Sequence, residues 1–231
     1  MVIRTKYSTP EPIRRASLYD SYKFVLDDLA EAEKRLDKEE DAYSNEYITS
    51  AAAQALHARV ALYMQDWDTA IEYASILIDD KKNTFKLADA KTKYNADYTF
   101  FDYMWAYDLS YEIIWRIGFT ETSYGSPLGT VFLNFTKDLT YYYPDYVPAT
   151  AALNLYDAAD LRYSGYFAGK EQGLTIGYTN GLDWPMLVKY YGNRNFTSKL
   201  IFHVSMPKPF RLAEQYLIRA EAYCRKNDFT K

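Results

Sequence analysis

ITSAAAQALHARVALYMQDWDTAIEYASILID, Ile48 to Asp79, is the stretch whose reading decides the fold. From Ser50 it reads as a helix with Leu56, Val60 and Tyr63 turned inward. Gln65-Asp66-Trp67 is a short turn, and beyond it Ala70, Ile71, Ala74, Leu77 and Ile78 recur at the spacing of one helical face. Small side chains at Ala58 and Ala70 let two antiparallel helices approach closely, and the bulky Trp67 wedges at their junction. The stretch predicts a helical hairpin.

Working outward, the N-terminal side opens with a lead punctuated by Pro10 and Pro12. Ser17 and Asp20 then form an S-x-x-D capping box. Behind it Leu18, Tyr22, Val25, Leu29, Ala32 and Leu36 line one face, which predicts an amphipathic helix over 18–37. Asp27, Asp28, Glu31, Lys34 and Arg35 make its other face a solvated one, and Asp37 to Asp41 reads as a loop. The hairpin resembles a tetratricopeptide repeat, and its pattern returns at the other end of the chain. Ala220, Asp228 and Phe229 stand where Ala58, Asp66 and Trp67 stand in the first copy, at one common offset. The counterpart of Ala70 would fall just past Lys231. A stripe of Ala213, Leu217, Ala220 and Cys224 needs a partner helix to cover it, so a hairpin severed before its return helix is expected. The alternative is a natural C-terminal capping helix.

Residues 84–206 read differently: periodicity fades, and Gly, Pro, Asn and aromatics take over. Glu112-Ile113-Ile114-Trp115-Arg116 is the best strand candidate and Thr130 to Phe135 a weaker one. Residues 149–163 suggest a short helix with Ala152, Leu155 and Tyr156 on one face. The rest predicts long ordered loops, which are usually functional or unstable. The expected fold class is mainly α: TPR-like helical hairpins carrying a long irregular, aromatic-rich insert. The expected organisation is one domain with helices and hairpin at 18–83, the insert at 84–206 and the first helix of a truncated second hairpin at 207–231.

Composition narrows the chemistry. The 231 residues carry 25 Tyr, 12 Phe and 4 Trp, and aromatics at 18% exceed what a core needs, so some rings belong on a surface. A net charge of −4 argues against a phosphate-backbone partner, which needs clustered Lys and Arg. No run of about 18 apolar residues is long enough to cross a bilayer, and Met1 to Lys6 lacks the apolar stretch of a secretory signal. Cys224 alone forms no internal disulfide, and it leaves the redox compartment open. His57 and His203 are the only histidines and read as structural, so no zinc site is expected. Gly125-Ser126-Pro127-Leu128-Gly129 lacks the residues of a P-loop or dinucleotide fingerprint and reads as a turn. Asp157, Asp160 and Arg162 read as a salt-bridged helix end. Paired carboxylates of a glycosidase are not identifiable from sequence spacing. A catalytic site, a metal and a cofactor are therefore not expected.

Four segments carry a family resemblance. ASLYDSYKFVLDDLAEAEKRL (16–36), the hairpin stretch with its A-R-V-x-L-Y core, LYDAADLRYSGYF (155–167) with LVKYYG (187–192), and RLAEQYLIRAEAYCRKNDF (211–229) appear in this order. Together they resemble the SusD/RagB-like nutrient-binding proteins, and the chain looks like a central piece of roughly half such a protein, an α/α superhelix fragment. The acylated-cysteine lipoprotein signal of that family and the segment after its late helix are not in the sequence given; Cys224, on a helix near the other end, does not match the signal. The resemblance implies a surface-exposed outer-membrane lipoprotein of a Bacteroidetes-type bacterium, attached to the membrane only through that lipid anchor. Its implied partners are a glycan and a SusC-like TonB-dependent transporter, with no nucleic acid. Its implied action is capture of oligosaccharide or polysaccharide for import without breaking a bond; capture of peptide or another nutrient, or a TPR-type adaptor role, are the alternatives. Flat rings suit the apolar faces of sugars, while Asn, Asp, Arg and Lys suit their hydroxyl rims. Tyr63, Trp67, Tyr216 and Tyr223 are expected to pack in the helices. The rings expected at a ligand lie in the insert, among Tyr103, Tyr107, Trp115, Tyr124, Tyr141, Tyr143, Tyr146, Tyr190 and Tyr191, with Trp105, Tyr142 and Trp184 as the chosen three.

Overall fold

A computed structural model describes residues 2–3, 14–135, 141–157, 159–178 and 182–228; the proline lead and Phe229 lie outside them. In chain order the described residues form α1 (Leu18–Arg35), a 3-10 turn (Lys38–Glu40), α2 (Ser50–Tyr63), α3 (Trp67–Ile78), α4 (Phe100–Tyr107) and β1 (Ile113–Trp115). There follow α5 (Thr130–Leu133), α6 (Thr150–Leu153), α7 (Leu161–Tyr166), β2 (Phe167–Ala168), a 3-10 turn (Lys170–Gln172) and β3 (Met186–Leu187). The chain then passes through α8 (Arg194–Thr197), β4 (Phe210–Arg211) and α9 (Leu212–Arg225). Helix dominates, as expected, and the strands make only two short antiparallel pairs, β1 with β4 and β2 with β3. Contacts divide the chain into two units. The first holds the residues up to Leu87, Tyr111–Arg116 and those from Lys208 onward; the second holds Ala88–Ser110 and Ile117–Pro207.

The first unit is a packed set of four long helices. Ser17 caps α1, its Oγ accepting the Asp20 N–H at 3.0 Å and its hydroxyl donating to Asp20 Oδ2 at 2.6 Å. Asp20 in the first turn and Lys34 and Arg35 in the last complement the helix dipole. Tyr22, Val25, Leu26 and Leu29 pack against Ala53, Leu56, Val60 and Met64 of α2, while the predicted polar face stays in water. α2 is buried on most of its faces because α1, α3 and α9 flank it. Its N-terminus is served from a distance, Asp41 Oδ1 accepting the Ala51 N–H at 2.9 Å. Asp66 caps α3 by accepting the Thr69 N–H, and Gln65 makes the turn with φ of 63°. The predicted close approach is present: Ala58, Ala61, Ala70 and Ala74 form one cluster with Ile218 and Ala222 of α9, Trp67 packed against it. His57, as expected, is structural. Its Nδ1 lies 2.9 Å from Glu33 Oε1 and its ring stacks on Tyr73. Burial, with Glu33 beside it, pushes the Tyr73 phenol up to about 12.

Several expectations are corrected here. Leu18, in the first turn of α1, and Tyr63, in the last turn of α2, are exposed, 74% and 68%. On α9 the buried face is Leu212, Gln215, Ile218 and Ala222, set against α2 and α3. The stripe expected to need a partner helix is a different face and is uncovered, which is not at odds with that expectation: Leu217 is 72% exposed, and Ala220 and Cys224 are exposed too. Tyr216 is also on the surface, while Tyr223 is half-buried. Trp115 belongs to this unit and not to the irregular one: it stacks on Phe210 across the β1–β4 pair, and its indole N–H donates to the Glu46 carbonyl.

The second unit is built from short elements around two clusters. One gathers Leu133, Tyr142, Ile176 and Met186; the other gathers Phe196, Val204 and Met206 with Phe119 and Ile201. The weaker strand candidate at 130–135 is instead α5 followed by a bridge at Phe135, since the Phe132 and Leu133 N–H groups donate back to the Gly129 carbonyl. The single helix expected over 149–163 is two, α6 and α7, and Ala152 and Leu155 share no buried face. Asp160 caps α7, accepting the Arg162 N–H and the Arg162 fork at 2.6–3.2 Å, the salt-bridged helix end that was expected. A buried polar knot ties the unit. Asp108, fully buried and at φ 56°, offers one carboxylate oxygen to Asn193 Nδ2 at 2.8 Å and to the Met206 N–H at 3.0 Å.

Candidate functional site

The site grows from α4. Thr99 and Asp102 form a reciprocal capping box that fixes the start of this eight-residue helix. Helical spacing then sends Met104 into the core, stacks Tyr103 on Tyr107 at 4.6 Å, and sets Phe101 and Trp105 together on another face. α7 comes close to that face because Gly165 has no Cβ: one would sit 3.0 Å from the Phe101 ring. Tyr166 and Tyr190 then meet Trp105 edge-on, at 5.8 and 6.3 Å between centroids. Into this corner Lys189 projects its ammonium, 4.4 Å from the Trp105 ring centre, 4.8 Å from Tyr166 and 5.3 Å from Tyr190. The rings' negative faces hold the charge in place.

This corner is one wall of a cleft of about 360 Å³ lined, among others, by Tyr98, Asp102, Trp105, Lys189, Tyr191 and Arg194. Arg194 lies over the Tyr191 ring at 4.4 Å. Gly192, at φ 115°, lets the chain turn past His203, whose backbone nitrogen a Cβ would approach to 2.8 Å. A neighbouring hollow of about 430 Å³ shares Ala168 and Gln172 with the cleft. The larger hollow is the poorer candidate, because the concentration of indole, phenol and fixed cations is in the smaller one. The arrangement offers flat apolar faces with donors and acceptors at their edges, the means to hold a ring-shaped polyol. Among the described residues no group of three or more His, Cys, Asp or Glu side chains could hold a metal ion, and no helix is long and apolar enough to cross a membrane.

Of the three chosen rings the cleft takes one. Trp105 lines it. Tyr142 does not: it is 7% exposed in the core, its phenol 3.4 Å from that of Tyr191, and burial pushes the pKa of that phenol well above the ordinary tyrosine value. Tyr142 supports a cleft residue from behind and presents no face to a ligand. Trp184 packs on the same core and donates its indole N–H to the Pro148 carbonyl at 2.9 Å, so it anchors a loop. Sequence reasoning missed Tyr98, Asp102, Gln172, Lys189 and Arg194. The available signal was LVKYYG, which supplies Lys189, Tyr191 and Gly192 at once.

No family model matches the sequence, and no curated protein is similar to it. Solved structures are. A SusD superfamily protein from Bacteroides thetaiotaomicron superposes with a TM-score of 0.72 at 21% identity, over 99% of this chain and 48% of that one. The fold is SusD-like. Surface glycan-binding protein A from Bacteroides uniformis matches with a TM-score of 0.68 at 15% identity, over 97% of this chain and 50% of that one. A laminarin-binding SusD-like protein matches with a TM-score of 0.63 at 18% identity, over 96% and 54%. The chain spans about half the length of the structures it matches.

Within this SusD-like fold the quoted segments hold one another. Arg59, from the A-R-V core, makes a fork to Glu214 of the late helix, Nε to Oε1 at 2.6 Å and Nη2 to Oε2 at 2.7 Å. It also donates to the Pro209 carbonyl at 2.6 Å and lies 4.4 Å over the Phe210 ring. Arg211 reaches back to the buried Glu112 at 2.7 Å.

Proposed function

We propose that the chain is the ligand-capturing part of a SusD-like surface protein that binds oligosaccharide or polysaccharide in the Trp105 cleft without breaking a bond. The whole protein is then a lipid-anchored component of a bacterial outer membrane that passes its glycan to a SusC-like TonB-dependent transporter. The observation that carries the reading is the cleft itself: an indole braced by two tyrosines and a lysine, next to Tyr98 and Tyr191 and edged by Asp102, Gln172 and Arg194. Solved proteins of the same fold described as glycan-binding and laminarin-binding support it. Each ring stacked on a sugar contributes roughly 1–2 kcal/mol by area. Two or three such rings give about millimolar to micromolar affinity after ordering costs, suited to a protein that must release its ligand.

The test is affinity electrophoresis and calorimetry of the 231-residue chain against a panel of soluble glycans, with a peptide panel alongside. Trp105→Ala is expected to weaken the retained glycan about ten-fold, the loss of one stacked ring. Retention that survives Trp105→Ala unchanged overturns the placement. Retention of peptides alone overturns the glycan reading in favour of peptide capture.

A further inference from the structure

The hollow beside the Trp105 cleft is built from the same short helix as the cleft wall. α7 turns Tyr166 toward Trp105, at 5.8 Å between ring centres. Tyr163 and Phe167, four residues apart, line the hollow instead. Their rings lie 5.6 Å apart, and Tyr156 packs edge-on against Phe167 at 5.4 Å. Among the described residues, these three rings join neither of the two clusters at the core of the unit. Tyr163 keeps 40% of its surface in water, so packing of the core does not explain an aromatic there.

The polar side of the hollow is fixed as well. Gln172 accepts the Gly169 N–H through Oε1 at 2.9 Å, which commits its carbonyl to the loop and leaves its amide N–H groups to donate. Gly173, at φ 82°, and the Leu174 N–H, donated to the Gly169 carbonyl at 3.0 Å, close that turn. Asp183 ties in the facing loop by accepting the Lys170 N–H at 3.4 Å. The lining carries charges of both signs, Lys170 against Glu171 and Asp183, which suits the hydroxyl rim of a neutral sugar. Ala168 and Gln172 line cleft and hollow alike, so the two spaces meet over one floor. At about 360 and 430 Å³, each is near the lower end of the range for small-molecule sites, about 300–1,000 Å³, and each has its own ring beside fixed polar groups.

We infer that the hollow is a second sugar subsite, in which Tyr163 covers a ring face and Gln172 donates at the junction. The chain therefore binds a run of neutral sugar units laid across cleft and hollow together. The inference rests on the glycan-capture reading and adds to it a second contact site and a dependence on ligand length.

The experiment is calorimetry of the 231-residue chain with cello-, laminari-, manno- and xylo-oligosaccharides, each as disaccharide, tetrasaccharide and hexasaccharide. In at least one series the tetrasaccharide is expected to bind about ten-fold or more tightly than the disaccharide, the gain of one further stacked ring. Tyr163→Ala is expected to remove most of that gain while leaving the disaccharide unchanged, and Tyr163→Phe to keep it. Trp105→Ala, by contrast, is expected to weaken every length. Hydrogen exchange reads the same contact without a substitution: residues 163–173 of the unaltered chain are expected to exchange more slowly with saturating tetrasaccharide than with saturating disaccharide. Equal affinity at all lengths, a length gain indifferent to Tyr163→Ala, or a loss in that variant equal at every length overturns the inference. So does exchange over 163–173 that no length alters. In each of these cases a glycan is still retained, and glycan capture stands. Retention of no member of any series overturns both readings. The exchange measurement decides the matter where Tyr163→Ala folds poorly.

Discussion

Removing the Arg59 side chain tests whether the helical unit is held by the contact between its two separated motifs. Arg59→Ala deletes a two-bond fork to Glu214, one bond to the Pro209 carbonyl and a guanidinium–ring contact with Phe210. Hydrogen bonds to charged groups contribute about 1.5–3 kcal/mol each when buried, and the cation–ring contact about 0.5–2 kcal/mol. Arg59 and Glu214 keep 28% and 31% of their side-chain surface in water, so hydration recovers much of this when the fork is lost. The expected net loss is about 2–4 kcal/mol. Urea unfolding followed by far-ultraviolet circular dichroism reads it as a midpoint lowered by about 1 M at unchanged slope. A double-mutant cycle with Glu214→Gln should return a coupling of about 1–2 kcal/mol, and Arg59→Lys should rescue less than half, since an ammonium cannot make the fork. A midpoint shift below about 0.2 M, or strict additivity in the cycle, would refute the reasoning.

Asp108→Ala should destabilise the second unit by about 2–4 kcal/mol in a thermal melt, because it leaves the Met206 N–H without its acceptor and takes from the Asn193 amide one of its two, the Tyr107 carbonyl remaining; Asp108→Asn, whose carbonyl can serve both donors, should cost less than half of that. Stability should also fall on acidification through His203. Burial, the largest influence, lowers its folded-state value below the ordinary 6.5, against the weaker opposing pull of the Tyr191 and Leu133 carbonyls. Below about pH 6.5 the unfolded chain therefore binds the proton first, and stability, fully present above that pH, declines as the pH drops through the window between the two values. Urea midpoints at pH 7.5 and 5.0 should differ more in the parent chain than in His203→Gln, and equal differences would discard the assignment.

The helical unit was legible because its sequence repeats at the period of its structure. Ser17 announces a cap, Gln65-Asp66-Trp67 a turn, and Ala58 and Ala70 a close approach, and each performs that task. Periodicity identifies the faces of a helix without saying which neighbour covers them. α9 shows the limit: Ala213, Leu217, Ala220 and Cys224 form as good a stripe as Leu212, Gln215, Ile218 and Ala222, and the buried choice includes a glutamine. The cleft was less legible. Trp105 followed from counting rings outside the helices, but the same count chose Tyr142 and Trp184, whose burial and indole bond depend on contacts far along the chain. LVKYYG pointed at Lys189 but not at its surroundings, since its rings come from α4, α7 and the residue beside it.

That contrast explains how the fold can match at 21% identity over 99% of the chain while the site needs its own argument. Alanine contacts among α2, α3 and α9 and the Arg59–Glu214 fork specify the helical unit with a few residue types that tolerate much change around them. The cleft depends instead on where short elements stop. α4 ends at Asp108 because that residue takes a left-handed conformation and receives Asn193 and Met206, and α8 begins at Asn193 because the same side chain caps it. A single buried knot thus fixes the end of the helix that carries Trp105 and the start of the helix that carries Arg194. On the glycan-capture reading, ligand preference can change through the rings and cations between those two points while the knot, and the fold around it, stays as it is.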